Sequence, residues 1–448
     1  MGHSAATRIG SLARRALTVF TATALLAGLL VGTPSAVRAG TIYYVAHDGV
    51  SYSGACASAD FNTDDGGYDS DDDAISDAVS AAGDGDTIHI CAGTYELHDT
   101  IVVSDDELTF VGDGASETIL DGGARWTLED DGVTPDELIT EGVSILRSDV
   151  DLSVEAITFT GGWADNECDG ASSGGAICAY DYLSVADSAF ISNSASEFGG
   201  AIGAESVDIR DSSFTGNLSG WGGALITQGG SISNTEFAKN WSSSDGGAVF
   251  YCSWERDLLI SNSDFTGNLS AGDGSAIYSY GDEQLLAITS SEFRGNEATN
   301  GSGTVTVQDA HVVVSNSRFI ENRAERGAAL HAWGASLSVT RSTFTRNSTT
   351  DDWGGGAINA YSADITSSTF TGNTALEHGG AIMLETAEGV ISRNSFIRNS
   401  ALNGGGAISF CSVSRSVARK MSVTNRFSRN TGESSADRNI EAGWGCYE

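Results

Sequence analysis

The sequence of 448 residues has little proline, little lysine and little positive charge. Only 2 Pro occur, which excludes a collagen or a proline-rich linker. Lys and Arg together number 23 against 60 Asp and Glu, for a net charge of −37. A surface this acidic repels phosphate backbones and excludes nucleic acid as a partner. After residue 39 no apolar run is long enough to span a bilayer, so the mature chain has no transmembrane segment. The 7 Cys match no zinc spacing, and their odd number leaves at least one thiol over.

What is present starts with a leader. Arg8, Arg14 and Arg15 precede the mostly apolar stretch 16–32, and Val37-Arg38-Ala39 offers a small-residue cleavage site before Gly40. Residues 1–39 therefore read as a signal peptide, and the protein as secreted to the extracellular space or outer cell surface. The leader holds four Arg and no acid, so the mature charge is −37 − 4 = −41. That balance suits solubility, a salty habitat or Ca²⁺ binding.

Repeats decide the fold class. F-x-x-N occurs ten times, from Phe190/Asn193 to Phe427/Asn430, with steps of 23 to 31 residues. Between copies stands a Gly-rich word, as in Gly199 to Ile202, Gly222 to Leu225 and Gly405 to Ile408. Each unit also alternates polar and apolar residues, as in Ser206-Val207-Asp208-Ile209-Arg210, and none contains an amphipathic helix. A unit of about 25 residues with short strands and Gly/Asn turns is one coil of a parallel β-helix. The Phe residues should stack inside and the Asn residues at a bend, where their amides serve turn backbone. Asn217, Asn240, Asn268 and Asn347 also lie in N-x-S/T sequons, but the Asn recurs where the sequon does not, which favours a structural role.

Upstream, Asp71 to Gly83 predicts a short helix capping the first coil, followed by strands at Thr87 to Ile90, Thr100 to Val103 and Leu108 to Val111. Residues 124–142 read as a loop excursion. The organisation expected is residues 40–150 as cap and first coils, 151–430 as tandem repeats, and 431–448 as a closing tail. For disulfides, Cys56–Cys91 would staple the cap helix, Cys168–Cys178 would close locally, and Cys411–Cys446 would tie down the tail. Cys252 is left over.

The paired G-G-A-I and F-x-x-N words resemble the repeats of chlamydial-type polymorphic outer-membrane proteins, over about residues 159–430. Thr41 to Gly123 is similar to the opening coils of pectin-lyase-like β-helices, as in Asp84-Gly85-Asp86-Thr87-Ile88. The resemblance implies an all-β, right-handed parallel β-helix and a role in adhesion. The sequence reaches Glu448 without a counterpart of that family's C-terminal membrane barrel.

Two surface columns are candidate sites. Strand parity turns Tyr278, Tyr280, His331, Trp333, Tyr361 and Glu385 outward on the later coils, where rings and polar neighbours suit a sugar. The turn ahead of the Gly word carries an acidic ridge that includes Asp245, Asp273, Glu325, Asp351, Asp352 and Glu377. Carboxylates stacked at coil spacing repel unless a cation sits between them, which makes Glu325, Asp351, Asp352 and Glu377 a candidate Ca²⁺ site. The alternative is a solvated acidic edge. The outward column offers only Glu205 and Glu385 as carboxylates, seven coils apart, too far to act as a glycosidase pair. No catalytic residues are assigned. The function expected is adhesion or glycan binding without catalysis, with a polysaccharide lyase or glycoside hydrolase on the same scaffold as the alternative.

Overall fold

The computed structural model describes residues 40–442 apart from 48–49, 64–69, 129–134, 140–141, 166–172, 254, 282–283, 352–353, 387, 412, 415, 419–423 and 433–438. Thr41–Glu448 form one compact unit. It is a right-handed parallel β-helix.

One coil shows the pattern. Val249–Ser253, Leu258–Ser261, Asp264–Thr266 and Leu269–Ser270 follow one another around the turn. Each pairs in parallel with its copy in the next coil, so Val249 meets Ile277, Leu258 meets Leu286, Phe265 meets Phe293 and Leu269 meets Glu297. The first two strands of the coils merge into a 23-stranded sheet, the third form a 13-stranded sheet and the fourth a 10-stranded one. Alternation sends Val249 and Tyr251 inward and leaves Phe250 and Cys252 outward.

The third ladder is a continuous aromatic column. Neighbouring rings from Phe159 to Phe427 lie 4.7–5.2 Å apart with planes within 3–12° of parallel. Phe159 extends it one coil ahead of the first F-x-x-N word, and Leu120 and Tyr95 continue it upstream. The Asn column is buried and fully engaged. Asn268 donates through Nδ2 to Asn296 Oδ1 at 3.0 Å and to the Phe237 carbonyl at 2.9 Å, and its backbone N–H also reaches Asn296 Oδ1. Each side chain thus satisfies turn backbone that no strand ladder reaches. A second polar column runs beside it. Two residues before the Phe stands a Ser or Thr in the coils from Ser188 to Ser368, whose hydroxyl accepts from the backbone N–H of the coil before, as Ser291 does from Ser263 at 3.2 Å. In the last two coils Asn394 and Asn425 accept there through Oδ1.

The Gly pair has two separate jobs. Gly246 sits at φ +68°, in the left-handed region. Gly247 needs no such angle, yet a Cβ there would collide with the Ser275 carbonyl of the next coil.

At the open end, helix Asp71–Ala81 lays Ala74, Ile75 and Ala78 on the core. The N-cap residue, Ser70, makes no side-chain cap hydrogen bond. Asp71 Oδ2 accepts from the Glu96 N–H and Asp72 Oδ1 from the His98 N–H, tying the helix to the next strand's backbone. Cys56 and Cys91 are joined by a disulfide. Cys178 and Cys411 are also disulfide-bonded; Cys168 and Cys446, the partners expected for them, lie outside the described residues. Cys252 is free and half-buried. The excursion at 124–142 is not only loop: Arg125–Leu128 and Pro135–Ile139 pair as an antiparallel hairpin. Within the tail, Ile440–Ala442 adds a further parallel strand against Ile408–Phe410. No helix among the described residues is long and apolar enough to cross a membrane.

Candidate functional site

The first strands of three successive coils, Ile277–Gly281, Val305–Gln308 and Leu330–Thr340, hold the candidate residues. Register aligns Tyr278, Thr306 and His331 in one row and Tyr280, Gln308 and Trp333 in another, with the middle residue of each paired to both others. Inward neighbours such as Ile277, Val307 and Ala332 are buried, so parity turns the named residues away from the core.

The two outward columns differ in fate. Trp333 is 55% exposed and Tyr361 48%, while Tyr278, Tyr280 and Glu385 are half-buried. His331, expected on the same open face, is only 8% exposed, and Asn359 and Met383 in its column are covered too. The cause is the re-entry turn. A Cβ on Gly303 would stand 3.1 Å from the His331 Cβ of the next coil, and Gly327 approaches Asn359 in the same way. Each Gly word therefore folds over the column that parity alone would expose. Trp333 and Tyr361 stand two residues further along their strands, in the column those turns do not cover, and the register shifts between Ala332 and Ser336.

Asp273, Tyr278, Thr306, Gln308, His331 and Trp333 line a hollow of 180 Å³. The Tyr278 hydroxyl donates to Gln308 Oε1 at 3.1 Å. Burial, then Asp245 and Asp273, push the Tyr278 phenol well above its ordinary pKa. Burial, then Arg326, lower His331 to about 4, so the ring is neutral at pH 7. Asn359 Nδ2 lies 3.3 Å from His331 Nδ1; the amide donates, which leaves the imidazole proton on Nε2. The hollow thus sets an exposed indole beside amide, hydroxyl and neutral imidazole groups and the Asp273 carboxylate. Of the two outward carboxylates, Glu205 is paired with Arg256 at 2.9 Å.

The acidic ridge is engaged by protein donors. Asp245 Oδ1 accepts from the Asp273 N–H at 2.7 Å, and Asp273 Oδ1 from the Ser302 N–H at 2.6 Å. Desolvation raises the Asp245 pKa above the usual carboxylate range. Asp351 pairs with Arg326 at 3.2 Å, and Glu377 accepts from Asn403 Nδ2 at 2.8 Å. Glu325 is half-buried, and Asp352 lies outside the described residues. At the other end, Cys56, His89, Cys91 and Asp113 bring ligand atoms within 4.8 Å of one another, but the two sulfurs are bonded together.

Residues 199–374 match the right-handed β-helix region family, and residues 367–385 match the Chlamydia polymorphic membrane protein repeat. No curated protein matches the chain. Among solved structures it is similar to a mannuronic acid-specific polysaccharide family 6 lyase from human gut microbiota, with 12% identity, 83% of this chain and 81% of that chain covered, and a TM-score of 0.43. It is also similar to the catalytic unit of a GH87 α-1,3-glucanase from Streptomyces thermodiastaticus (12% identity, 84% and 66% covered, TM-score 0.36). A third is the A-module of the Azotobacter vinelandii mannuronan C-5 epimerase AlgE6 (12% identity, 84% and 94% covered, TM-score 0.34).

Proposed function

We propose that this chain is an exported, surface-associated β-helical protein that binds glycans without cleaving them, through the hollow around Tyr278, Gln308, His331 and Trp333. The observation that carries this reading is the half-exposed Trp333 ring at the rim of a polar hollow. A sugar packs its C–H face on such a ring while its hydroxyls meet Gln308, Thr306 and the imidazole. Tyr361, 48% exposed on the next coil, extends the aromatic surface. The shifts of Tyr278 and His331 work against catalysis at neutral pH, because neither a high-pKa phenol nor a low-pKa imidazole is a useful base there. The basic leader and the disulfides support export.

A glycan array comparing wild type with Trp333→Ala and Tyr361→Ala tests the surface, and equal binding by all three rejects it. A depolymerisation screen on acidic and neutral polysaccharides, with and without Ca²⁺, tests the absence of cleavage. Shortened chains from the wild type would replace binding with the lyase or hydrolase reading.

A further inference from the structure

The outer face of the third ladder changes character along the stack. Ahead of the Phe residues its middle coils carry Glu236, Asp264 and Glu292, aligned by direct pairing. Later coils carry Thr343, Thr369 and Ser395 in the same column, which then reaches Arg426. After the Phe, Thr345 and Thr371 add a second row of hydroxyls. An acidic strip has become a hydroxyl strip.

The turns bordering this strip change with it. On each side of the strand the backbone passes once through the left-handed region. Middle coils place Asn234, Asn262 and Ser290 there on one side, and Lys239, Gly267 and Gly295 on the other. Later coils place Arg341, Ser367, Arg393 and Thr424 on the first side, and Arg346, Gly372, Arg398 and Arg429 on the second, at φ +49° to +65°. Five of these eight late positions are Arg, which concentrates guanidinium groups along both borders of the hydroxyl strip. Arg341 reaches Asn316 and Arg346 pairs with Glu321. Arg393, Arg398, Arg426 and Arg429 are exposed and in no ion pair among the described residues. In a chain with 60 acids, four unpaired guanidinium groups on two adjacent coils are a local reversal of charge.

We propose that this face binds a linear polyanionic polysaccharide, carboxylated or sulfated, lying along the stack. Guanidinium groups take carboxylate and sulfate oxygens as two-pronged partners. Arg398 and Arg429 repeat at the coil spacing of about 4.8 Å, so successive anionic sugars of an extended chain meet successive forks. The Thr and Ser hydroxyls between the Arg rows face the sugar hydroxyls, one or two per coil. The site stands on the third ladder and shares no residue with the hollow on the first.

Affinity electrophoresis through gels containing dextran sulfate, polygalacturonate or neutral dextran tests it. The variant combines Arg393→Asn, Arg398→Gly and Arg429→Gly, residues that other coils use at the same turns, so the backbone is kept. Wild type should be retarded by at least one polyanion, and salt should abolish the effect. The variant should bind that polyanion at least about tenfold more weakly. Its mobility in neutral dextran should equal the wild type's, and Trp333→Ala should leave the polyanion retardation intact. No retardation by either polyanion, or equal retardation of the folded variant, overturns the proposal. So does a variant whose only defect is loss of a dimer in size-exclusion chromatography, since the Arg face would then serve the acidic coils of a second copy.

Discussion

The interior corner of each coil and the outer face of its first strand are built from the same repeat, yet they behave as opposites. At the corner, Phe, Asn and Ser or Thr recur coil after coil because every copy solves the same packing and hydrogen-bond problem. On the outer face the residue changes at every step, from Tyr280 to Gln308 to Trp333 to Tyr361, because no ladder constrains what points outward. Monotony in a solenoid marks structure, and change marks the surface where specificity can be stored.

Substitutions should sharpen that division. Phe293 sits between two stacked rings, and Phe293→Ala should cost about 3–5 kcal/mol in chemical denaturation. A loss near zero would mean the column is decoration. Next in size is a pH effect on His331, which lies on the outer side of the sheet but is covered. Its folded pKa of about 4 lies below the ordinary 6.5, so the unfolded chain binds more protons between those values. The contribution is fully present above pH 6.5 and is lost as pH falls toward 4, by about 3 kcal/mol. His331→Gln should remove that part of the acid slope; identical slopes in the two proteins would contradict the burial. Ser291→Ala strands the Ser263 N–H and should cost about 1–2 kcal/mol, read from the same denaturation curves. Smallest is Trp333→Ala, expected to shift stability by less than about 0.5 kcal/mol. A fall of several kcal/mol would place the ring with the corner residues and erase the contrast.

The repeat words carried most of the fold because their spacing reports a constraint that returns once per coil. Phe190 and Asn193 have to meet Phe214 and Asn217, so ten copies in phase leave few other architectures. Parity was enough to turn Trp333 outward, yet it misjudged His331. Alternation states which side of a sheet a residue occupies, whereas exposure depends on what else covers that side. Here the cover is Gly303, whose role follows from its position against the next coil rather than from its own strand. The hairpin of Arg125–Leu128 and Pro135–Ile139 is not legible in the sequence, because it stands outside the repeat and its strands follow no shared period. The Arg border was invisible for a related reason. Counting charges along the chain does not reveal that Arg398 and Arg429 become neighbours, while ladder register does.

The buried Asn column has a consequence for how the chain can be made. Asn217, Asn240, Asn268 and Asn347 stand in acceptor sequons, and in the finished coil their side chains are 0–1% exposed. An enzyme that attaches sugar to N-x-S/T can reach them only while the chain is still extended. A glycan placed then on Asn240 could not enter the corner, and Asn217 would lose the acceptor for both its N–H and its amide. In a glycosylating secretory pathway the yield is therefore set by a race between coil closure and modification, not by the depth of the folded minimum. A host that leaves these sequons bare removes the race.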